Sequence, residues 1–471
     1  MKILVIGSGA REHALVWKLT GERYVREVYC APGNAGTGRI AHNVAIPADD
    51  VDWLAEWAAE NTIDLTVVGP EAPLALGVVD RFRERELRIV GPTAAAARLE
   101  SSKVFAKEFM ARHNIPTARC EVFPKDVAVT YVRSRPADDY PLVLKADGLA
   151  GGKGAVVAAT PAEAEQALET LGRLPGGAGE RVVIEAFLRG TELSVLALTD
   201  GTTILPLPAA RDYKRLGAGN SGPMTGGMGA YSPPAIATDA LLDRVRTEIL
   251  EPALRGLAAE GTPYSGVLYA GLMITERGPH VLEFNARFGD PETQCILPRL
   301  RSELMPLLFA LTDGTLHEEK PVWRSHACCT VVVASGGYPD EFETGYGILG
   351  LDELEKGVMV FHGATRDPYV KETGLVMEPQ KRERLGNPFS TMFGFGRKRG
   401  ERVDRQARQA LGDPFSKTIT AGGRVLTVAA LGDTVEQARA LAYRNAEQIV
   451  FTDRYFRPDI AADDLERGAG P

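Results

Sequence analysis

The strongest constraint on the fold is a rhythm over residues 1 to about 100. Apolar runs at 2–6, 28–30, 65–68 and 87–90 each lead into Gly or Pro, and helix-like stretches at 10–19, 51–59 and 76–86 lie between them. Strand and helix in alternation predict a parallel sheet with right-handed crossovers. Open sheets of this kind bind ligands beyond the carboxyl ends of their strands, where two loops stand out. The first, Gly7-Ser8-Gly9-Ala10-Arg11-Glu12-His13, leaves the first strand and opens the first helix, so its backbone N–H groups can face an anion. It falls short of a dinucleotide fingerprint, because Glu12 stands where G-x-G-x-x-G needs a third small residue. The second, Gly69-Pro70-Glu71-Ala72-Pro73-Leu74, offers Glu71 to sugar hydroxyls. Either loop taken alone also fits a tight turn with no ligand.

At 471 residues the chain is too long for one core and divides into several domains. Its net charge of −8 argues against a dedicated nucleic-acid binder, whose domains are usually basic. No apolar run approaches the roughly 20 residues that span a bilayer. The opening Met1-Lys2-Ile3-Leu4-Val5-Ile6-Gly7 goes straight into a strand–glycine pattern, and a cytoplasmic protein is expected. Cys30, Cys120, Cys295, Cys328 and Cys329 are odd in number and scattered, which supports neither a disulfide framework nor a zinc site.

Residues 101–113 read as a helix with Lys103 near its start, and Asn114-Ile115-Pro116-Thr117 breaks the chain there. Lys145 then ends a strand just before Gly148-Leu149-Ala150-Gly151-Gly152-Lys153-Gly154, and a second strand follows. Two strands joined by a mobile glycine loop bearing Lys153 make a flap that can lie over phosphates. A P-loop is excluded, since Gly154 follows Lys153 and a strand stands where a helix is required. Glu185 and Glu192 interrupt two apolar strands, and buried carboxylates need partners, such as adenine amino or ribose hydroxyl groups. The cluster Arg211-Asp212-Tyr213-Lys214-Arg215 precedes residues 217–229, which are too glycine-rich to pack a core and read as a long mobile loop. Residues 240–259 and 298–312 read as helices, and residues from 327 on as a small α+β closing domain.

The stretch Glu283-Phe284-Asn285-Ala286-Arg287-Phe288-Gly289-Asp290-Pro291-Glu292 follows an alternating run and breaks into a Gly-Asp-Pro turn. On a strand, Glu283, Asn285 and Arg287 share one face, with neighbours roughly 7 Å apart. A carboxylate and an amide oxygen at that spacing can converge on a hard cation, and oxygen-only ligands favour magnesium over zinc. Arg287 beyond them can hold a carboxylate or phosphoryl oxygen. A half-solvated strand with a polar outer face is the plainer reading of the same pattern.

Taken in order, these motifs, together with Gly222-Pro223-Met224-Thr225-Gly226-Gly227-Met228-Gly229 and Arg287-Phe288-Gly289-Asp290-Pro291-Glu292-Thr293-Gln294, resemble the phosphoribosylamine–glycine ligase family of the ATP-grasp superfamily. The resemblance runs from Lys2 to about Ile460, except for one segment. It implies an α/β and α+β multidomain chain: an N-terminal parallel α/β (pre-ATP-grasp) domain over 1–102, an ATP-grasp domain over 103–315 with a mobile glycine-rich flap at about 117–190, and a small C-terminal α+β domain over 316–471. It implies a ligase that joins glycine to 5-phosphoribosylamine in purine synthesis through glycyl phosphate, using ATP and Mg2+, with Mn2+ as a substitute. Glu283 and Asn285 would hold the metal; Lys103, Lys145 and Lys153 would neutralise phosphate oxygens; Glu185, Phe187 and Leu188 would line the adenine and Glu192 the ribose. Arg287 is assigned to the glycyl phosphate and Asp212 to the incoming amine, and Lys214 is counted with them as catalytic. Gly7, Gly9, Arg11, Glu71, Gly226, Gly227 and Met228 are assigned to the substrates. The expected partners are therefore small molecules, with no nucleic acid and no membrane, on a monomer or weak homodimer.

An extra segment of about fifty residues, at about 367–416, departs from the family pattern and is longer than loops inside compact domains usually are. It is rich in arginine and lysine around Phe389, Phe393 and Phe395, which fits a surface insertion or a contact with RNA or an acidic partner. Three other functions compete: an ATP-grasp enzyme acting on a different acid, a nicotinamide-dependent oxidoreductase built on Gly7-Ser8-Gly9, and an idle binding protein acting through the basic segment.

Overall fold

The computed structural model describes residues 1–151, 154–174, 177–368, 417–463 and 465. The N-terminal strands Lys2–Gly7, Glu27–Pro32, His42–Asn43, Leu65–Val68 and Ile89–Val90 form the expected parallel sheet, in the order third, second, first, fourth, fifth. Its first strand is apolar at every position from Ile3 to Ile6 because both faces are covered. Leu4 and Ile6 join one core, while Ile3 and Val5 join another that is shared with the C-terminal part of the chain. The order of strands reverses between the first and the fourth, so the loops after Gly7 and Val68 flank the switch point. Two local expectations are corrected. His42–Asn43 adds a fifth strand too short and polar to give a period, and the helix expected over 76–86 shortens to Val78–Arg83 and is preceded by a second helix, Glu71–Ala75. They are separated by Gly77 at φ +84°, a backbone conformation that glycine adopts freely.

The flap is an antiparallel sheet of Cys120–Pro124, Arg181–Ala186, Leu142–Ala146 and Ala155–Ala158, in that spatial order. Helices Lys125–Ser134 and Pro161–Leu171 cover it and close a separate core of residues such as Val132, Leu144, Leu168 and Ile184. Thr160 caps the second helix by accepting from the Glu163 amide at 3.2 Å, with Pro161 in the first turn. The facing sheet runs Ile204–Pro206, Thr191–Thr199, Gly266–Thr275, Gly278–Asn285, all antiparallel. Only Phe187, Leu188, Arg189 and Gly190 connect the two sheets along the chain between Ala186 and Thr191. The helical stretch expected at 240–259 runs from Asp239 to Ala259, with a π-turn at Arg246–Leu250.

The third sheet, Arg211–Asp212, Gly229–Ser232, Ala327–Ala334, Arg424–Gly432 and Met359–His362, draws two strands from the middle of the chain. The run 217–229, expected as a long mobile loop, contains regular pairing. Arg215–Gly217 pairs with Ser221–Met224 as a hairpin, and Met228 N donates to Tyr213 O at 2.8 Å before Gly229 enters the sheet. Among the described residues, no helix is long and apolar enough to cross a membrane. The basic segment lies outside the described residues from 369 to 416.

Candidate functional site

A cleft of about 740 Å3 opens between the flap, the facing sheet and the carboxyl edge of the N-terminal sheet, a size that suits a nucleotide with its substrates. The strand Gly278–Asn285 delivers its floor. A bulge at Leu282 shifts the register against Gly271 and Leu272 and leaves the Leu282 carbonyl free to accept from Lys145 Nζ at 2.7 Å. Beyond the bulge Glu283 and Asn285 share one face, as the alternation requires. The strand ends at Asn285, so Arg287 does not continue that face as expected. It lies in the turn and reaches back to donate to Asn285 Oδ1 at 3.1 Å.

Glu283 is bracketed by ammonium groups, Lys214 Nζ at 3.1 Å and Lys103 Nζ at 3.6 Å. Lys214 most strongly, with Lys103 and Lys145, holds its carboxyl well below the usual carboxylate range despite burial. Lys103 is aimed here because its helix starts at this point, with Ser102 accepting from Phe105 N at 3.1 Å and Asp147 from Val104 N at 3.2 Å. Lys145 comes from the flap and also pairs with Glu185 at 2.9 Å, while Lys107 reaches the same carboxylate at 3.1 Å. Burial pushes Lys107 down and Glu185 opposes it. Phe187 and Leu188 line the cleft on the connector between the sheets, with Phe187 half-exposed. Glu192 sits at the start of the next strand, its carboxyl pushed up by burial and drawn back by Lys214.

At the other end, Arg287 is clamped by Glu100 at 2.9 Å and Glu71 at 3.3 Å. Burial opposes the guanidinium's charge, but Glu100 and then Glu71 outweigh it and hold the charge in place. Burial likewise opposes the Glu71 carboxylate, yet Arg287 and Arg11 bring it down to about 2. Arg11 donates to Glu12 at 2.6 Å and to the Phe288 carbonyl at 3.1 Å. Beside this clamp, Glu292 accepts from Tyr269 at 2.6 Å and from Ser194 at 3.0 Å, and Ser194 Oγ also lies 3.3 Å from Asp212 Oδ1. Burial, and then the Asp212 charge, raise the Glu292 carboxyl to about 7.

Not every residue assigned from sequence reaches this cleft. Gly7, Gly9, Gly227 and Met228 are absent from its wall, and Lys153 lies outside the described residues. The reason at the first loop is Glu12. Its carboxylate accepts from Gly9 N at 2.5 Å and fills the space a Cβ would need at Gly7 and Gly69. The glycines make room for this side chain, and the helix N-terminus receives an anion from within the chain. Gly227, at φ +111°, is pressed against Pro291, and Met228 is fully buried. Gly226 does border the cleft. Its carbonyl accepts from Arg424 at 2.7 Å, and Arg424 also pairs with Asp290 at 3.1 Å.

Models of the phosphoribosylglycinamide synthetase N domain, ATP-grasp (A) domain and C domain match residues 1–100, 101–293 and 397–463. The chain belongs to the phosphoribosylglycinamide synthetase family. The phosphoribosylamine–glycine ligase of Xanthomonas campestris is 47% identical over 98% of this chain and 97% of its own. That of Escherichia coli O157:H7 is 44% identical over 99% of each. The crystal structure of phosphoribosylamine–glycine ligase from Thermotoga maritima superposes with a TM-score of 0.75 at 31% identity, covering 98% of this chain and 100% of that one. A biotin carboxylase from Campylobacter jejuni shares the fold, with a TM-score of 0.64 at 13% identity, over 100% of this chain and 95% of that one.

Within this synthetase fold, Glu100, Tyr269, Asp290, Glu292 and Arg424 border the cleft without having been singled out from sequence. Glu292 and Asp290 belonged to the signature stretch and carried a signal. Glu100 and Arg424 sit in ordinary helix and strand patterns and meet their partners only through tertiary structure. The oxygen donor set of Glu283 and Asn285 fits magnesium, which takes one or two protein oxygens and completes its shell with phosphate and water. Among the described residues no group of three or more His, Cys, Asp or Glu side chains is placed to hold a metal ion.

Proposed function

We infer that this chain joins glycine to 5-phosphoribosylamine at the expense of ATP, giving glycinamide ribonucleotide, ADP and phosphate. The family assignment carries the overall reaction. The observation that supports the division of roles is a single cleft in which three lysines surround Glu283 at one end and Arg287 is clamped between two carboxylates at the other. Glu185, Phe187 and Leu188 face the adenine and Glu192 the ribose. Glu283 and Asn285 would hold magnesium, or manganese in its place, and the ion would supply neutralisation of phosphate charge.

Lys103 and Lys145 then have a second anion to serve. Moving from Glu283 toward the phosphate oxygens, they offset the charge that builds as the glycine carboxylate oxygen attacks the γ-phosphorus and ADP leaves. Arg287 orients the acyl phosphate so formed. The amine nitrogen of phosphoribosylamine attacks the acyl carbon, the bond from that carbon to the phosphate oxygen breaks, and phosphate departs. The nitrogen sheds a proton to water as the amide forms, and Asp212 orients the amine for that loss, with Glu71 and Arg11 on the ribose and its phosphate. ADP release measured with glycine and freshly generated phosphoribosylamine each present or omitted tests this. Release that needs both is expected; release unaffected by omitting either overturns it.

A further inference from the structure

The strand and hairpin 211–224 carry Asp212 and Lys214 into the cleft. Arg211–Asp212 pairs with Gly229–Ser232, and Lys214 O accepts from Thr225 N at 2.7 Å. Further support comes from residues 455–463, some 240 positions later. Side chains alternate across the cluster. Asp212 and Lys214 point to Ser194 and Glu283, whereas Arg211 and Tyr213 turn to the C-terminal segment. The Asp463 carboxylate grips both, accepting from the Tyr213 hydroxyl and pairing with Arg211 at 2.6 Å. Arg457, 1% exposed, lies over the Tyr213 ring at 4.6 Å, and Arg211 lies 5.3 Å from the same ring. It also donates to Arg215 O at 2.9 Å and Asn220 Oδ1 at 3.0 Å. Asp459 fixes the Arg457 guanidinium at 2.5 Å and accepts from Gly219 N at 2.8 Å, and Tyr455 donates to Leu216 O at 2.9 Å.

These contacts hold the backbone on both sides of Lys214 and the tip of the hairpin, whose Arg215, Asn220 and Met224 rim the cleft. We propose that residues 455–463 are part of the active centre in all but contact: a C-terminal latch in which Asp463 and Arg457 are positioning residues for Asp212 and Lys214. The latch sets where the amine end of the cleft lies relative to the nucleotide end, which is built separately from the flap and the facing sheet. This rests on the reading that Asp212 and Lys214 face the substrates.

Asp463→Asn tests it, because the side chain is 37% exposed and the change keeps its shape while removing the charge. Displacement of a reacting group by a fraction of an ångström is enough to be read: kcat is expected to fall about tenfold and KM for phosphoribosylamine to rise, with KM for ATP within about twofold of the parent. Asp463→Glu should recover part of the loss. Should D463N fail to fold, Tyr213→Phe, which removes one hydroxyl, is read in the same way. Parent-like constants in the folded variant overturn the latch, as does an activity loss that merely tracks lost folded protein with every KM unchanged. Asp212→Asn measured alongside separates the two claims. A fully active D212N removes the reading on which the latch rests, whereas an impaired D212N beside a normal D463N removes the latch alone.

Discussion

Lys214 Nζ lies 3.1 Å from Glu283 Oε1, one from the link between the strand Arg211–Asp212 and the hairpin, the other from the strand Gly278–Asn285. Lys214, with Lys103 and Lys145, favours the charged form of Glu283, which is what a hard-cation ligand needs. Glu283→Gln preserves the shape and removes the charge. ADP formation is expected to fall by about a hundredfold or more, because charge neutralisation at transferring phosphate is worth several kcal/mol. Far-UV circular dichroism should be unchanged. Full activity at ordinary magnesium concentration would rule out the metal assignment.

Glu100 was not legible as a functional residue, yet it is buried and holds Arg287 at 2.9 Å while accepting from Ala286 N at 2.7 Å. Glu100→Ala leaves a buried guanidinium with Glu71 as its remaining carboxylate partner at 3.3 Å. Removing one member of a buried ion pair costs about 3–5 kcal/mol, the lower end applying here because Glu71 stays. A lowered urea midpoint together with a raised KM for glycine is the expected result. A destabilised variant with an unaltered KM would separate Arg287 from the acyl phosphate.

What the sequence disclosed and what it hid follow one division. Glu283 and Asn285 were readable together because two residues of one strand must share a face. The N-terminal sheet was readable because its apolar runs end at glycines that the turns require. The Arg424–Asp290 pair joins residues 134 apart in the chain, and Asp463 grips Tyr213 across 250; no local period announces such contacts. Gly7 and Gly9 looked like a ligand loop for a good local reason, small residues before a helix. What fills the space is Glu12, a side chain whose path depends on Gly69 from another loop.

Gly69 therefore makes a sharp test of that loop. A methyl group there would overlap the Glu12 carboxylate, which also accepts from Gly9 N at 2.5 Å and from Arg11 at 2.6 Å. Gly69→Ala must push Glu12 aside and break the helix cap, for a loss of about 1 kcal/mol or more. Glu12→Gln, which keeps an acceptor, should lose less. Equal denaturation midpoints for G69A and the parent would show that the carboxylate has room to move.

Acid should loosen the contact between the N-terminal and C-terminal parts. His13 and His362 are buried with ring centroids 5.4 Å apart, and His13 Nδ1 accepts from His362 N at 2.8 Å, which requires the unprotonated nitrogen. Burial, and then Arg39, lower His13 to about 3, and burial, followed by His13, lowers His362 as well. Both folded values lie below the ordinary 6.5. The unfolded chain thus binds more protons across the interval from 6.5 down to about 3, so stability falls as pH falls through it. The slope below 6.5 should approach about 1.4 kcal/mol per pH unit for each histidine. Urea midpoints taken between about pH 7.5 and 5.5 measure it directly. His13→Asn retains an acceptor without the titration and should flatten the dependence by about half. A dependence as steep in that variant as in the parent would place the acid sensitivity elsewhere in the molecule.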